Sequence, residues 1–301
     1  MFEILLSTNV ARVIPTYMWA KLRDYPVPAR GLRGATVGDL IYFYGGNVGG
    51  IDPQSYQQLF YSYDPKSDTY EALTPGPIGR ASASVASQGN KFYVIGGYGE
   101  TTVPKILHEY DTVSKTWVER PTIPGTFNVN SLSSSNGKLY ATVYNTTSQY
   151  TELYRYDPLN PTGAWVKLAN LPTAGLNAGT VVGNSDGLYY FSGRSYGVYS
   201  TAVFFFNTLT NVWSQLPNMP KEMSSGYPVC INNEIFLVNG SPSQPLEIYK
   251  LVGGSLVVQP QLSNSIMVID FALAAWNKEM HIFGGSTIAG IVADHYAYKS
   301  D

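Results

Sequence analysis

The sequence of 301 residues predicts an all-β repeat protein, and three observations carry this prediction. A phrase recurs six times along the chain: a polar turn, a short strand rich in Tyr and Phe, and a pair of glycines or its remnant. The phrase returns every 45 to 51 residues, a period typical of proteins in which each repeat is one structural unit. No segment shows the periodicity of an amphipathic helix, so the units are expected to be β-sheets.

Each copy of the phrase has the composition of a strand between turns. The copies are Leu40–Gly46, Lys91–Gly97, Lys138–Tyr144, Gly187–Gly193, Glu234–Gly240 and Glu279–Gly285. Turn residues such as Gly89-Asn90 and Asn136-Gly137 precede them, and these residues tolerate the positive φ of tight hairpins. The glycine pair ends the strand, where a missing Cβ allows another backbone to approach closely.

A second signature follows the glycine pairs; its Tyr-Asp becomes Phe206-Asn207 in the fourth repeat and is weak in the last two. It consists of Tyr-Asp at Tyr63-Asp64, Tyr110-Asp111 and Tyr156-Asp157, then an aromatic residue at Tyr70, Trp117, Trp165 and Trp213. In the order and spacing of Gly-Gly, Tyr-Asp and Trp, residues 15–301 resemble the Kelch family. The resemblance implies a single domain, a six-bladed Kelch-type β-propeller in which each repeat forms a four-stranded antiparallel blade.

The last repeat lacks its fourth strand, and the N-terminus supplies a matching one. The repeat provides a first strand at Ser265–Ala274 and a third strand at Asp294–Lys299, and then the chain ends. The segment Thr16–Leu22 places Trp19 where the second repeat has Trp117. We therefore expect the sixth blade to be closed by the N-terminal strand, which hides an edge that would otherwise template aggregation.

Residues 1–14 lie outside the repeat. Their apolar residues alternate only partly with polar ones, which is a weak strand pattern. We expect this extension to be a docking strand for a larger assembly, and residues 15–301 to form the propeller. The alternative is that the extension packs along its own propeller.

Composition narrows the function. Charged residues are 13% of the chain, the formal net charge is −2, and Lys and Arg form no cluster, which argues against a nucleic-acid partner. No apolar run is long enough for a membrane-spanning helix. The single Cys230 excludes an intramolecular disulfide and a Cys-based zinc site. We expect a protein of the cytoplasm or of a viral particle assembled there.

The residues capable of chemistry do not form a recognisable catalytic motif. His108, His281 and His295 are interpreted as three separately satisfied strand histidines, because their spacing is not that of a shared metal site. Asp64 and Asp111 are expected to bond to turn backbone. We therefore predict no catalytic residues, no bound metal and no cofactor.

Loop residues give a stronger signal. The chain has 24 Tyr, and the Kelch resemblance implies that the loops between second and third strands share one face with the connections between blades. The candidate ligand-binding residues on that face are Arg30, Arg33, Arg80, Tyr98, Phe127, Asn128, Asn177, Arg194, Tyr196, Tyr199 and Tyr227. Tyr, Arg and Asn converging on one face are typical of a recognition surface. The alternative interpretation is ordinary loop composition in a Tyr-rich chain.

Two functions from different classes follow. The first is a non-catalytic binding or structural module that recognises a protein or a glycan through this face, free or as a subunit of an assembly such as a viral or phage particle. The alternative is a sugar-modifying enzyme, isomerase-like, mutarotase-like or a lyase, with its site at the channel mouth.

Overall fold

The computed structural model describes residues 18–50, 55–99, 105–125, 129–191, 193–195, 197–223, 226–261 and 265–299, with only the main chain of Ser195. These residues form β-strands and no α-helix. From the channel outwards, blade 1 contains β2 (Arg33–Val37), β3 (Leu40–Tyr44), β4 (Phe60–Asp64) and β5 (Thr69–Ala72), and blade 2 contains β7 (Ser84–Gln88), β8 (Lys91–Ile95), β10 (Ile106–Asp111) and β11 (Thr116–Thr122). In the same order, blade 3 contains β12 (Val129–Ser135), β13 (Lys138–Asn145), β14 (Tyr150–Tyr156) and β15 (Val166–Lys167), and blade 4 contains β17 (Thr180–Gly183), β18 (Leu188–Phe191), β21 (Val203–Asn207) and β22 (Val212–Leu216). Blade 5 contains β23 (Gly226–Ile231), β24 (Glu234–Asn239), β25 (Glu247–Val252) and β26 (Ser255–Val258), and blade 6 contains β27 (Ala272–Trp276), β28 (Glu279–Thr287), β29 (Gly290–Lys299) and β1 (Trp19–Lys21). Two small ribbons join β6 (Arg80–Ala81) to β9 (Tyr98–Gly99), and β16 (Leu176–Asn177) to β19 (Arg194–Ser195) and β20 (Val198–Tyr199).

The six blades form a closed ring, which confirms the predicted propeller. Their inner strands contact one another in the cycle β2, β7, β12, β17, β23, β27 and back to β2. The hydrophobic core lies between blades: Tyr42 and Phe60 of blade 1 pack against Phe92 and Tyr110 of blade 2, with Phe60 and Tyr110 ring centroids 4.7 Å apart. One blade cannot bury both of its faces, so its stability depends on its neighbours.

The N-terminal strand closes the sixth blade, as predicted. Trp19 pairs with Tyr298 and Lys21 with Tyr296 across the β1–β29 ladder. The Trp19 indole Nε1 also donates to Gln261 Oε1 at 2.9 Å, which ties the strand to the end of blade 5. Residues 1–17 lie outside the described part of the chain, and the docking role of residues 1–14 stays a prediction.

The predicted first strand of the last repeat, Ser265–Ala274, has the wrong bounds. The strand is β27, Ala272–Trp276, and the chain before it pairs elsewhere, with Ile269 bridged to Ser286. The physical reason is Asp270, whose φ of 57° lies in the left-handed region and turns the chain before β27 begins.

Hydroxyl side chains join the inner strands around the channel. The Ser84 Oγ donates to the Asn130 carbonyl at 3.3 Å, and the Ser135 Oγ donates to the Asn184 carbonyl at 2.7 Å. The Ser133 Oγ accepts from the Gly183 amide at 2.8 Å. An inner strand is an open sheet edge, and these hydroxyls satisfy part of it, which makes the channel wall polar.

Candidate functional site

A cavity of about 630 Å³ lies at one end of the channel, here called the mouth. All six blades contribute to its lining. Their contributions include Arg33 from blade 1, Tyr98 from the loop of blade 2, Asn130 from blade 3, Arg194 from the loop of blade 4, Tyr227 from blade 5 and Asp270 from the connection into blade 6. The lining therefore offers guanidinium, phenol, amide and carboxylate groups within one space.

Backbone hydrogen bonds between blades fix the shape of the mouth. The Gly31 amide donates to the Asp270 carbonyl at 2.7 Å, and the Ser82 amide donates to the Gly31 carbonyl at 2.6 Å. Gly31, Ser82, Ala178 and Asp270 each stand two residues before an inner strand, and each has a positive φ between 52° and 65°. Residues other than glycine in this region store strain, of order 1 kcal/mol or more, and such residues cluster at functional sites.

Arg194 and Tyr199 form a preorganised pair at the mouth. The hairpin of β19 and β20 pairs their main chains, and Asn177 pairs with Arg194 on the other side. The Arg194 guanidinium lies 4.4 Å from the centre of the Tyr199 ring, and its Nη2 donates to the Tyr199 hydroxyl. Because the pair holds an exposed guanidinium in one orientation, less entropy is lost when a ligand binds it.

Arg33 occupies the side of the mouth next to blade 5. Its Nη1 donates to the Leu32 carbonyl at 2.8 Å, and its guanidinium lies 5.8 Å from the centre of the Tyr227 ring. The Tyr227 hydroxyl accepts from the Asp270 amide at 2.9 Å, and its ring centre lies 4.2 Å from that of Phe271. Tyr227 therefore supports the mouth as well as lining it.

Tyr98 is an exposed aromatic residue at the rim. Its side chain is 64% exposed, whereas the repeat tyrosine Tyr93 is buried. Tyr98 follows Gly97, where a Cβ would lie 2.7 Å from the Ala81 carbonyl oxygen, so the glycine is needed for the loops to meet. An aromatic ring exposed beside a polar cavity is available for contact with a ligand.

The main chain of Arg80 pairs with Gly99 beside the mouth, but its side chain is not exposed there, which corrects the prediction of an exposed binding residue. Its side chain is fully buried between blades 1 and 2. The Nη1 donates to the Gly96 carbonyl at 3.2 Å, Nη2 lies 3.2 Å from His108 Nδ1, and the guanidinium stands 5.6 Å from the centre of the Tyr44 ring. Burial and the Arg80 charge lower the pKa of His108 to about 4. Arg80 is thus part of the framework.

The remaining predicted residues fall into two groups. Arg30 pairs its main chain with Asn47 and is absent from the described lining of the cavity. Phe127, Asn128 and Tyr196 lie outside the described residues.

Asp270 and Asn130 are two of the lining residues that the sequence analysis did not name. Asp270 was hidden because the first strand of the last repeat was placed too early; aligned on the correct strand, it matches Gly31, Ser82 and Ala178. Asn130 lies in the first strand of blade 3, and its buried Nδ2 has no hydrogen-bond partner among the described residues. Only the alternation of β12 could have pointed to Asn130, and Ser residues dominate that strand.

Two of the three histidines contact each other, so the interpretation of three separately satisfied strand histidines is wrong. His281 Nδ1 and His295 Nε2 lie 3.0 Å apart between blades 6 and 1, while His108 stands apart in blade 2. Within the described residues, no three His, Cys, Asp or Glu side chains come together in a way that could hold a metal ion. Asp64 and Asp111 accept backbone amides two residues further on, as the turn interpretation requires.

Comparisons with known proteins support this architecture. A family model for the Kelch motif matches residues 79–124. Mouse Kelch-like protein 35 is 29% identical over 181 residues, which cover 59% of the chain and 30% of that protein. Human Kelch-like protein 15 is 24% identical over 261 residues, which cover 76% of the chain and 41% of that protein. These matches confirm the resemblance to the Kelch repeat that the sequence shows.

The solved structure of YjhT superposes on this Kelch propeller with a TM-score of 0.71 over 91% of the chain and 95% of that structure, at 19% identity. This likeness concerns the fold. The Kelch chain spans less than half the length of the curated relatives it matches. Among its described residues, no helix is long and apolar enough to cross a membrane.

Proposed function

We propose that this Kelch propeller is a non-catalytic binding module that recognises an exposed segment of a partner protein at the mouth. The observation that carries the proposal is the shared cavity of about 630 Å³, whose lining includes residues of all six blades. The connections into four of the blades share a positive φ at this end of the channel. Binding groups on a rigid scaffold are the usual arrangement of a recognition site.

The charges of the mouth indicate what such a segment carries. No carboxylate among the described residues lies within 4 Å of the Arg33 or Arg194 side chains, whose described contacts are with carbonyls and tyrosines. A guanidinium at a cavity wall complements a carboxylate, and the fork geometry favours bidentate pairing. Tyr98 and Tyr199 add aromatic surface. A turn or loop with an acidic side chain fits this chemistry.

The resemblance to Kelch proteins favours a protein ligand, because the Kelch propeller is typically a protein-binding module. Recognition of a glycan uses the same aromatic and polar groups and is an outcome of the test below. Roles in a viral or phage assembly, through residues 1–14 or otherwise, and a location in the cytoplasm or in such a particle stay predictions.

A sugar-modifying enzyme would use the same cavity. Among the described residues that line it, Asp270 is the only carboxylate, whereas hydrolysis of a glycosidic bond commonly uses a matched pair. This composition favours binding over that chemistry.

A displayed library of random loop peptides tests the proposal. The full chain serves as bait, and two double variants separate the ends of the channel: Tyr98→Ala with Arg194→Ala at the mouth, and Asp39→Ala with Lys66→Ala at the opposite end. We expect loops with acidic side chains to be enriched. They should still bind the variant at the opposite end and should no longer bind the mouth variant. The proposal would be overturned if no loop were enriched, or if the enriched loops lost binding only to the Asp39→Ala/Lys66→Ala variant. A glycan array in which only sugars bind the mouth would replace the protein ligand by a glycan.

A further inference from the structure

We propose that the seam between blades 6 and 1 is a pH-sensitive lock on the N-terminal strand, built from a buried chain of hydrogen bonds through Glu279, His281, His295 and Tyr70. Neither the binding function nor the Kelch repeat calls for this chain of titratable groups. The seam borders blade 6, the blade in which the first and last described strands pair to close the ring.

The chain is continuous. Glu279 Oε2 lies 3.2 Å from His281 Nε2, and His281 Nδ1 lies 3.0 Å from His295 Nε2. His295 Nδ1 lies 3.0 Å from the Tyr70 hydroxyl and 3.1 Å from the Arg23 carbonyl. Both histidine side chains are fully buried, and Glu279 is buried as well.

Each contact in this chain holds a single proton. With both imidazoles neutral, His281 donates from Nε2 to Glu279 and accepts at Nδ1 from His295 Nε2, while His295 Nδ1 accepts from the Tyr70 hydroxyl. One added proton is accommodated on His295 Nδ1, which then donates to the Arg23 carbonyl, and the Tyr70 hydroxyl donates to the same carbonyl at 3.2 Å. The bond between the two histidines survives this first proton.

The second proton breaks that bond. A hydrogen bond between His281 and His295 needs one nitrogen without a proton, and a doubly protonated pair has none to offer. Two cations would also lie side by side, with ring centres 5.3 Å apart in a buried site. A pair that takes up the second proton therefore loses the contact between its two rings.

The described groups that pack against the pair are mostly uncharged, so they offset little of the charge that two imidazolium ions would carry. From β28, Phe283 stacks on His295 at 3.9 Å; from β4, the Tyr63 ring stands 4.7 Å from it. The Tyr63 hydroxyl donates to Asp68, which also meets the Arg23 main chain and so adds one acid and one base at the rim. Glu279 is the acid that faces the pair directly.

The pair is coupled to the N-terminal strand by the backbone. The His295 carbonyl accepts from the Leu22 amide at 2.9 Å, and the Ala293 carbonyl accepts from the Tyr25 amide at 2.8 Å. Both bonds continue the β1–β29 ladder. A displacement of the His295 side chain thus acts on the strand that closes the ring, whereas His108 is bonded to Arg80 in blade 2 and has no such connection.

Hydrogen exchange read by mass spectrometry on the full chain tests the lock. Between pH 7.5 and pH 5, after correction for intrinsic exchange, we expect protection of residues 18–25 to fall at least tenfold while blade 2 strands stay protected. His295→Gln, which cannot become an imidazolium, should remove the pH dependence, and His108→Gln should retain it. Equal loss in both regions, no loss at the seam, or an unchanged pH response in His295→Gln would overturn the proposal.

If His295→Gln does not fold, the wild-type protein still decides. Histidine labelled with ¹⁵N reports the hydrogen bond between the two rings as a scalar coupling. The proposal requires this coupling to disappear over the pH range in which the seam loses protection. A coupling that persists at pH 5 would overturn it.

Discussion

The two ends of the channel are built from the same inner strands but carry different kinds of residue. β2 begins at the mouth with Arg33 and ends at the opposite, turn end with Val37, where Gly38 and Asp39 form a two-residue hairpin. Turn-end hairpins use Gly and Asn at positive φ, as in Asn232-Asn233, because tight hairpins require that conformation. Their residue types are explained by the fold alone.

The mouth is different, because the fold does not dictate its residue types. Ser82, Ala178 and Asp270 adopt the left-handed conformation for which blade 1 uses Gly31. They do not lie in tight hairpins, so no hairpin requires this conformation of them. The charges differ too. At the turn end, Lys66 and Asp39 form an exposed ion pair at 2.7 Å, whereas Arg194 at the mouth stacks on Tyr199. Residues that the fold leaves unexplained lie where we place binding.

Removing the clasp, the N-terminal strand β1 that closes blade 6, should have the largest effect and should unfold both ends of the channel together. Deleting residues 1–24 exposes the edge of β29 and removes the Trp19 contact with Gln261. We expect loss of the cooperative melting transition, or aggregation, in circular dichroism and size-exclusion chromatography. Deleting residues 1–14 is the control and should leave the melting curve intact. A chain without residues 1–24 that melts like the intact protein would disprove the clasp.

Arg80→Ala should come next, because Arg80 belongs to the framework below the mouth. It leaves the Gly96 carbonyl and His108 without their partner and opens a cavity. We expect a loss of roughly 3 kcal/mol in the free energy of unfolding, measured by urea denaturation. Arg194→Ala at the exposed mouth should change it by less than about 0.5 kcal/mol. Equal effects of the two variants would remove the distinction between framework and mouth.

Acid should weaken the framework through His108. Its pKa is about 4 in the folded protein, against about 6.5 in the unfolded chain, so the unfolded state binds the proton first. The stabilisation is therefore complete above pH 6.5 and is lost as the pH falls from 6.5 towards 4, by at most about 1.4 kcal/mol per pH unit. His108→Gln should show a shallower fall across this window in urea denaturation; an identical slope would contradict the assignment.

Glycine substitutions should give the smallest effect and compare the two ends directly. Ala178→Gly relieves a left-handed alanine at the mouth, and we expect it to raise the free energy of unfolding by up to about 1 kcal/mol. Asn277→Gly at the turn end should gain less, because asparagine tolerates this conformation. Thermal denaturation of both variants measures the difference. Equal gains would mean that the mouth stores no extra strain.

The fold could be predicted because its signals are local. The period, the Gly and Asn turns and Trp19 in the clasp each depend on a few neighbouring residues. The mouth was predicted in part: Arg33, Tyr98, Asn177, Arg194, Tyr199 and Tyr227 line the cavity.

The predictions for Arg80 and for the histidines failed because segments that are distant in the sequence determine burial and side-chain contacts there. Arg80 is buried because Gly45 lets the connection that carries Arg80 approach closely. The Arg80 carbonyl oxygen lies 2.2 Å from the position that a Cβ on Gly45 would occupy. The His281–His295 contact depends on the β28–β29 register, which shifts near Phe283 at an irregularity that no sequence pattern announces. Burial and register are properties of the assembled ring.

The binding affinity of one selected loop peptide tests the central claim most directly. Isothermal titration compares the wild-type chain with the Tyr98→Ala/Arg194→Ala variant at the mouth and the Asp39→Ala/Lys66→Ala variant at the turn end. All four residues are exposed enough for folding to be unaffected. If the mouth is the binding site, the first variant weakens Kd at least about 30-fold, or about 2 kcal/mol, and the second changes it less than about twofold. Equal Kd values in the mouth variant and the wild type, or a loss confined to the turn-end variant, would contradict the account.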